Sequence, residues 1–566
     1  METMTPAQVR EMLLACADKI IRNEPYLTRV DSAIGDGDHG IGMMNGMMAA
    51  RACLETSTEE CDVYALYAKM GSAMEKAMGG ASGMIFSSLF TGNTTEHEPA
   101  ERITPADLAE LMAAGLKTIQ KIGHAQLGDK TMVDALQPAV EAMKAHSGAS
   151  FEEMLAAAEA AAAQGVENTK KYVAKFGRSK SLGERAVGHP DAGAVSTWLI
   201  FQQMHDYTAG TVSPDPDLKA LRATEEPQAS EDAAGGKKKI INAPQDVVKE
   251  ECEGFLAAFG GNFEAVPGVN GLVKKDIPAG KTALVIGGGS GHEPMFGFFL
   301  GENLADAAAS GNVFASPDPT TIERTADAAE RGAGVLFVYG NYAGDNLNFD
   351  RAAERLAARG IQSKTVRVWD DVASAPRERI TDRRGIAGDV FVLKIAGAAC
   401  ACLDLEEAFR VASKARDNTY SVGIGLAGAT IPGQREPIFR LPPDQMEYGL
   451  GIHGEPGIQR VGMKPADEIV TELLEVLIKD SGIREGDTVC TYVNGLGSTT
   501  LMELMIMNRK LALLLQEKGI RVHDMDVNSL VTTMEMAGAS ITLMKIDDEL
   551  QKYYDMPCSS PYYKKD

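Results

Sequence analysis

The chain has 566 residues and a net charge of −23 at pH 7, and its apolar runs stay well short of the about 18 residues that a membrane span needs. With 44% hydrophobic and 24% charged residues it has a globular composition, which excludes global disorder and predicts about three or four folding units. The acidic surplus repels nucleic acid and anionic membrane, so we expect neither as a partner.

The eight cysteines are scattered and form no CxxC pair. This distribution favours free thiols in a reducing compartment over a zinc site or a disulfide framework. The first residues include Glu2, Arg10 and Glu11 and lack the apolar stretch of a signal peptide. We therefore expect a cytoplasmic protein.

Apolar residues at helical spacing dominate residues 1–208. Val9, Met12, Leu13, Cys16 and Ile20 lie on one helical face, and β-branched runs are scarce throughout this part of the chain. The pattern predicts an all-α domain.

The segment DSAIGDGDHG at residues 31–40 places Asp31, Asp36 and Asp38 in a glycine-containing loop. Mg²⁺ in proteins is held by a few carboxylates together with substrate phosphates. The helix predicted to begin near Ile41 would offer free N–H groups to phosphate. The cluster therefore predicts a metal–phosphate site, with a solvated acidic turn as the alternative.

Three further glycine-rich segments occur at residues 79–83, 123–134 and 177–193. Glycine is costly inside a helix, so in a helical domain these segments mark helix ends. Helix ends gathered at one rim of a bundle could hold a nucleotide. The alternative is a set of ordinary turns between helices.

The composition changes after the helical part. Prolines and a polar run over residues 209–236 predict a flexible linker. From residue 237 to 566, short apolar runs alternate with helical stretches and predict an α/β domain. A break near residues 416–425 predicts two subdomains. The expected buried strands are 283–286, 335–339, 365–368, 390–394 and 488–493, and the expected helices include 320–331 and 350–358.

Glycine-rich turns after predicted strands form the second group of motifs, at residues 287–294, 340–348 and 449–457. Such turns let the backbone approach a small ligand closely, but these match neither a dinucleotide fingerprint nor a P-loop. His292 and His453 both lie in glycine-flanked turns that continue to Glu-Pro, which favours a functional role. His523 has ordinary surroundings and is expected to be structural.

The N-terminal motifs together resemble the nucleotide-binding domain of dihydroxyacetone kinases. The resemblance implies an eight-helix barrel in which Asp31, Asp36 and Asp38 hold two Mg²⁺ ions that bridge the phosphates of ATP. Arg178 would then offset phosphate charge. The other nucleotide contacts that the resemblance implies are His39, Gly40, Ile41, Gly42, Ala81, Ser82, Gly123, Met132, Asp191, Ala192 and Gly193.

Residues 237 to about 563 resemble the substrate domain of the same family, which has two α/β subdomains. The resemblance implies that the imidazole of His453 adds to the carbonyl carbon of a short ketose and holds it as a hemiaminal. His292 and Asp345 would hydrogen-bond the substrate and activate its hydroxyl, with Asp345 as the general base. Gly289, Ser316 and Gly340 fall on further substrate-contact positions.

This chain departs from the family pattern in three ways. Gly340 stands where the family usually has a lysine that contacts the ketone, the segment 295–299 is bulkier and more aromatic than usual, and the nucleotide domain precedes the substrate domain. We infer a reshaped pocket that suits a four-carbon ketose such as erythrulose.

The resulting prediction is an ATP-dependent kinase, expected to be a homodimer, that phosphorylates a terminal hydroxyl of dihydroxyacetone or of a C4 ketose. One alternative is cleavage of FAD to cyclic FMN, a side activity of the family. Another is a ketose-sensing binding protein, although a sensor has no need of Asp31, Asp36 and Asp38.

Overall fold

The computed structural model describes residues 1–35, 37, 39–57, 61–217, 239–434 and 436–566, without the side chains of residues 178, 181, 182 and 185. The chain divides into two compact units, Met1–Ser230 and Glu231–Asp566. In the described residues the first unit is helical and the second contains mixed sheets and helices, which confirms the predicted multidomain α and α/β organisation. No helix in the described ranges has both the length and the apolar character of a membrane span.

The first unit contains, among its described residues, nine α-helices: α1 (Pro6–Arg22), α2 (Glu24–Ser32), α3 (His39–Glu55), α4 (Val63–Met78), α5 (Gly80–Thr91), α6 (Pro105–Gly123), α7 (Val133–Ala145), α8 (Phe151–Thr169) and α9 (Ala192–Ala209). Helix α1 packs on α3, each helix from α3 to α8 packs on the next one, and α9 packs back on α1. The inward faces form one apolar core rich in methionine and alanine. Thr5, Thr104 and Ser150 begin α1, α6 and α8 with capping boxes, which satisfy otherwise unpaired N–H groups.

The first residues of the predicted linker are held on the helical unit. Gly210 adopts a left-handed conformation and ends α9. Beyond it, the backbone N–H of Ser213 donates to Asp206, and Asp215 pairs with the buried amino group of Lys19 at 2.8 Å. The linker residues 218–236 lie outside the described residues, so a flexible linker there stays a prediction.

The second unit contains two six-stranded sheets. The first has the order β1-β2-β4-β3-β5-β6, with β3 to β6 parallel and β1 and β2 antiparallel. Its strands are β1 (Phe263–Ala265), β2 (Gly271–Lys274), β3 (Ala283–Ser290), β4 (Ala307–Val313), β5 (Val335–Gly340) and β6 (Ser363–Val368).

The second sheet has the order β11-β10-β12-β7-β8-β9 and is also mixed, because only β10 and β11 run parallel. Its strands are β7 (Thr419–Ala427), β8 (Gln445–Tyr448), β9 (Gln459–Gly462), β10 (Thr488–Gly495), β11 (Arg521–Asn528) and β12 (Ala537–Lys545), and a two-stranded ribbon, β13 (Cys558–Ser559) with β14 (Lys564–Lys565), follows. The first of these strands along the chain, β7, begins at Thr419, within the predicted break at residues 416–425.

The helices of this unit are α10 (Val247–Phe259), α11 (Pro319–Ala329), α12 (Ala343–Ala358), α13 (Asp389–Cys402), α14 (Leu405–Asp417), α15 (Ala466–Ser481), α16 (Leu501–Glu517) and α17 (Asp548–Tyr554). Residues of α11 and α12 share one hydrophobic cluster with the first sheet, and those of α15 and α16 share another with the second sheet. A third cluster contains α13 and α14 together with residues of both sheets. This shared core connects the two sheets, and a division into two subdomains stays a prediction.

Two local predictions were wrong. Residues 390–394 belong to α13 rather than to a strand. This helix is buried on nearly every side, so its sequence is a continuous apolar run in which helical periodicity is invisible. Residues 287–289 continue β3 rather than forming a turn. A Cβ on Gly288 would lie 2.6 Å from the ring of Phe296, so these glycines let the strand pass beside that ring.

Candidate active site

Two buried imidazoles face each other in the second unit. His292 follows β3, and His453 lies in the loop between β8 and β9. The Nε2 atom of His292 lies 3.0 Å from the Nε2 atom of His453, and the two residues are 1% and 7% exposed. The structure therefore brings together the two histidines that the sequence singled out.

The other ring nitrogens fix the proton positions. Nδ1 of His292 lies 2.6 Å from the carbonyl oxygen of Thr532, which can only accept, so this Nδ1 carries a proton. Nδ1 of His453 lies 3.2 Å from a carboxylate oxygen of Glu455 and donates to it. Two bare lone pairs at 3.0 Å would repel each other, so a hydrogen bond between the facing Nε2 atoms requires a proton on one of them.

Glu455 is a functional candidate that the sequence reasoning missed. Its second oxygen accepts the backbone N–H of His453 at 2.9 Å, so one carboxylate holds both the ring and the backbone of that histidine. Arg384 lies 3.7 Å from Glu455 and 2.8 Å from Asp371. Burial works against the charge of Arg384, but these two carboxylates raise its pKa. The available signal was the position of Glu455, two residues after the histidine in the same turn.

Aromatic rings surround the imidazole pair. The ring of Tyr342 lies edge-on to His453 with the centroids 4.7 Å apart, and the ring of Phe314 lies 5.1 Å from His292 and 5.4 Å from His453. These contacts keep water from most of the pair and fix the orientation of both imidazoles. A small substrate at His453 would therefore lie between aromatic walls.

The remaining predicted substrate contacts lie at one edge of the first sheet. Gly289 lies near the end of β3 and His292 follows that strand, while Ser316 follows β4 and Gly340 ends β5. These strands are parallel, and their carboxyl ends form the edge at which α/β sheets bind ligands. A Cβ on Gly289 would lie 2.7 Å from the backbone nitrogen of Ala315, so only glycine lets β3 approach the segment that carries Ser316.

Asp345 lies in the first turn of α12, directly after this sheet edge, and is 8% exposed. Its negative charge contributes to the raised pKa values of Tyr339 and Asp389, although burial is the main cause in both. Asp345 is thus placed close to the end of β5.

In the first unit, His39 connects four helices. It begins α3, and its backbone N–H donates to the carboxylate of Asp31 in α2 at 3.3 Å. Its Nε2 atom lies 2.8 Å from the hydroxyl of Ser196 in α9, and its ring lies 5.7 Å from the ring of Phe86 in α5. Burial lowers the pKa of His39, against the charge of Asp31 and a backbone hydrogen bond with Ala192.

The start of α9 lies beside the start of α7. Asp191 caps α9 by accepting the N–H of Ala194 at 2.8 Å, and a Cβ on Gly193 would lie 3.3 Å from the Cβ of Met132. Burial raises the pKa of Asp191 to about 7, against the opposing effects of the Ala194 hydrogen bond and the charge of Lys130. The amino group of Lys130 donates to two backbone carbonyls at 2.7 and 2.6 Å, which ties this region together.

Most other predicted nucleotide contacts also lie at helix ends of the first unit. Gly40, Ile41 and Gly42 are in the first turn of α3, and Ala81 and Ser82 are in the first turn of α5. Gly123 ends α6 beside Ile85 of α5, and Ala192 begins α9. The contacts of His39 with Asp31 and Ser196 and of Met132 with Gly193 thus bring the starts of α3, α7 and α9 close together.

The predicted metal site is tested only in part. Asp36 and Asp38 lie outside the described residues, as does the side chain of Arg178. Among the residues that are described, no group of three or more acidic, histidine or cysteine side chains is arranged to hold a metal. Asp31 is the one predicted ligand whose place is known, and the metal site stays a prediction.

Two protein-family models match this chain. The DAK2 domain matches residues 33–206, and the Dak1 domain matches residues 253–562, which is more than half of the chain. The chain belongs to the dihydroxyacetone kinase family. This confirms the predicted family and the order of its two domains, with the DAK2 domain before the Dak1 domain.

Named relatives match over about 58% of this chain. The dihydroxyacetone-binding subunit DhaK of a PTS-dependent dihydroxyacetone kinase of Listeria innocua is 40% identical over 332 residues, which is all of that protein. An L-erythrulose kinase of Pectobacterium atrosepticum is 41% identical and an L-erythrulose 1-kinase of Mycolicibacterium smegmatis is 40% identical. The matches cover 56% and 58% of those two kinases, so the chain spans slightly more than half of their length.

Solved structures give the same fold for the matched part. The dihydroxyacetone kinase of C. freundii, in complex with AMP-PNP and Mg²⁺, is 29% identical with a TM-score of 0.54, covering 58% of this chain and 61% of that one. The dihydroxyacetone kinase operon co-activator Dha-DhaQ is 27% identical with a TM-score of 0.52, covering 55% of this chain and 96% of that one.

Proposed function

We propose that this protein transfers the γ-phosphoryl group of ATP to a terminal hydroxyl of a short ketose, dihydroxyacetone or a C4 ketose such as erythrulose. The observation that carries the proposal is the 3.0 Å contact between His292 and His453, with Glu455 behind the second ring. Membership of the family and the erythrulose kinases among the relatives support the reaction and the substrate class.

The histidine pair has the groups that carbonyl capture needs. The lone pair of His453 Nε2 forms a bond to the carbonyl carbon, the π pair of the carbonyl moves to its oxygen, and that oxygen takes the proton of the hydrogen bond between the two Nε2 atoms. His292 is left neutral, and the substituted imidazolium of His453 keeps its Nδ1–H bond to Glu455. The product is a hemiaminal, and the positive charge moves towards a carboxylate that is already in place.

This chemistry selects the substrate. A bond to the imidazole requires an electrophilic carbonyl carbon, so a ketone or an aldehyde is held and glycerol is not. The captured ketose cannot diffuse away before the nucleotide binds. The covalent bond thereby supplies the orientation of the hydroxyl on which phosphoryl transfer depends.

We assign Asp345 as the general base. Its place at the start of α12, next to the sheet edge, suits a carboxylate that accepts the proton of the substrate hydroxyl as the oxygen attacks the γ-phosphorus. Gly289 and Ser316 would then line the path of the ketose along the same edge.

The rim of the helical unit suits a nucleotide. The start of α3 offers an N–H group to the carboxylate of Asp31, and a Cβ on the nearby Gly42 would meet no atom of the described residues within 4 Å. We propose that α1 and α3 to α9 form the eight-helix barrel of the family around this rim. Mg²⁺, when bound by Asp31, Asp36 and Asp38 as two ions, would neutralise the β- and γ-phosphates. The predicted homodimer and cytoplasmic location stay predictions.

ADP release from Mg-ATP tests the function directly. We expect release with dihydroxyacetone, L-erythrulose or D-erythrulose, and none with glycerol, which matches dihydroxyacetone in size but lacks the carbonyl. Ketose binding without ADP release from any C3 or C4 ketose would contradict the kinase and favour the sensor. Formation of cyclic FMN from FAD without ketose phosphorylation would favour the lyase.

A further inference from the structure

A buried carboxyl group occupies the place that a side chain at position 340 would take. Asp389 is the first residue of α13 and is 1% exposed. A Cβ on Gly340 would lie 3.2 Å from Oδ2 of Asp389, which is closer than side-chain atoms usually approach. The absence of a side chain at Gly340 thus leaves room for this carboxyl group.

The carboxyl group of Asp389 has unused hydrogen-bonding capacity. Neither of its oxygens has a hydrogen-bond partner within the described ranges. Burial first, and then the nearby carboxylates of Asp370 and Asp345, raise the pKa of Asp389 well above its usual range. Burial therefore favours the neutral form of this group, which offers one O–H donor and one carbonyl acceptor. A buried polar group of this kind requires a partner or weakens the fold.

Tyr342 relates this group to the imidazole pair. Its ring carbon Cε2 lies 3.4 Å from the point where a Cβ on Gly340 would be, and the same ring lies 4.7 Å from His453. The ring of Tyr342 therefore lies near both Asp389 and His453. A carbon chain held at His453 that extends past this ring would approach the carboxyl group of Asp389.

We propose that Asp389 is a specificity-determining residue that hydrogen-bonds a hydroxyl group carried by the ketose beyond its third carbon. The inference deepens the proposed function and rests on it. A hydroxyl both donates and accepts, so it can pair with both functions of a neutral carboxyl group. Dihydroxyacetone ends one carbon earlier and leaves Asp389 without this partner, which disfavours it relative to a C4 ketose.

The same geometry explains the departure at position 340. A larger residue there would push the Asp389 carboxyl group away, and a lysine would pair with it as a carboxylate. Gly340 and Asp389 thus act together. The missing side chain at Gly340 leaves space in the proposed pocket, and Asp389 supplies a hydrogen-bonding group beside that space.

The test compares kcat/KM for erythrulose with kcat/KM for dihydroxyacetone in the full-length protein. The wild type is expected to favour erythrulose about tenfold or more. Asp389→Leu, which keeps the branched shape and removes the hydrogen bonds, is expected to lower this ratio about ten- to hundredfold, whereas Asp389→Asn keeps a donor and an acceptor and retains most of it.

A second variant keeps the inference testable if Asp389→Leu fails to fold. Gly340→Ala leaves Asp389 in place but crowds its Oδ2 atom, and it is expected to lower the ratio in the same direction. An unchanged ratio in Asp389→Leu or in Gly340→Ala, in protein that still captures ketone, overturns the inference, and so does a wild type that prefers dihydroxyacetone. Absence of turnover with every ketose in the wild type is a different result, because it contradicts the proposed function itself.

Discussion

The two candidate sites are built from different parts of the polypeptide. In the α/β unit, side chains touch side chains: two imidazoles meet at 3.0 Å inside aromatic walls, and a carboxylate fixes one of them. In the helical unit, most of the predicted contacts lie at helix ends, which leave backbone groups without partners in the helix, and Gly40 and Gly193 let these ends pack closely. The difference teaches that the proposed covalent capture would depend on one atom held by a packed core, whereas the proposed phosphate binding would be spread over backbone donors and acidic side chains.

Removing the imidazole of His453 should abolish ketose capture in the α/β unit and leave the site of the helical unit intact. In His453→Ala we expect kcat/KM for ketose to fall roughly a thousandfold or more, because the nitrogen assigned to bond the carbonyl carbon is removed. Steady-state ADP release measures the effect. His523→Ala is the matched control, since that histidine pairs with Asp555 near the surface and should stay within about threefold of the wild type. Equal losses in the two variants would contradict the assignment.

Removing a carboxylate from the helical rim should separate the two sites. In Asp31→Asn we expect turnover to fall about a hundredfold or more, while ketose capture by His453 persists. Intact-protein mass spectrometry under native conditions detects the adduct, and coupled ADP release detects turnover. Asp18→Asn removes an exposed carboxylate that pairs with Arg51 and should change neither. Loss of the adduct in Asp31→Asn would show that the two sites are not independent.

The Glu455→Gln variant tests whether the charge of Glu455 supports the imidazole pair. The amide oxygen can still accept a hydrogen bond from His453, but it no longer balances the imidazolium charge, so we expect ketose affinity to fall about tenfold. Isothermal titration with dihydroxyacetone measures this change. Glu472→Gln, which alters an exposed carboxylate paired with Lys464, is the control and should leave the affinity as it is. A Glu455→Gln protein with wild-type affinity would remove the role given to Glu455.

The smallest expected effect is on the pH dependence of the unfolding free energy, which reflects carboxyl groups buried next to the α/β site. Burial, followed by the charge of Glu293, raises the pKa of Glu251, and burial raises that of Glu293, whose carboxylate accepts the N–H of Gly291. Groups with raised acid pKa values bind more protons in the folded than in the unfolded protein. The free energy of unfolding should therefore fall as the pH rises above the ordinary carboxyl range towards the raised pKa values, by about 1–3 kcal/mol.

Urea unfolding of the wild type and of Glu251→Gln at several pH values between about 5 and 8 measures this slope. The variant should lose the part of the slope that comes from Glu251, whereas Glu293 stays buried and keeps a raised pKa. A variant whose unfolding free energy falls with pH as steeply as that of the wild type would contradict the account.

The sequence predicted the histidines but not their contact. Both stand in glycine-flanked turns, and that local pattern is visible in one dimension. Their meeting depends on the placement of two sheets around a shared core, which no local pattern contains. The same limit applies to Asp389, because its neighbour Gly340 lies 49 residues earlier in the chain and the run after it was interpreted as a strand.

In the helical unit the predictability is reversed. Helical spacing and the scarcity of β-branched runs predicted the all-α class, and the glycine segments mark helix ends as expected. The ring of helices, and the way in which His39 joins α2, α5 and α9, follow from tertiary packing. The roles of Asp36, Asp38 and Arg178 came only from the resemblance and stay predictions.

The most direct test of the central claim follows the carbonyl carbon itself. Dihydroxyacetone labelled with ¹³C at its carbonyl carbon is added to the wild type, to Asp31→Asn and to His453→Ala, and the bound signal is read by ¹³C NMR. We predict a tetrahedral carbon in the first two proteins and none in His453→Ala. A bound signal that remains in the ketone region, or the same tetrahedral signal in His453→Ala, would contradict the account.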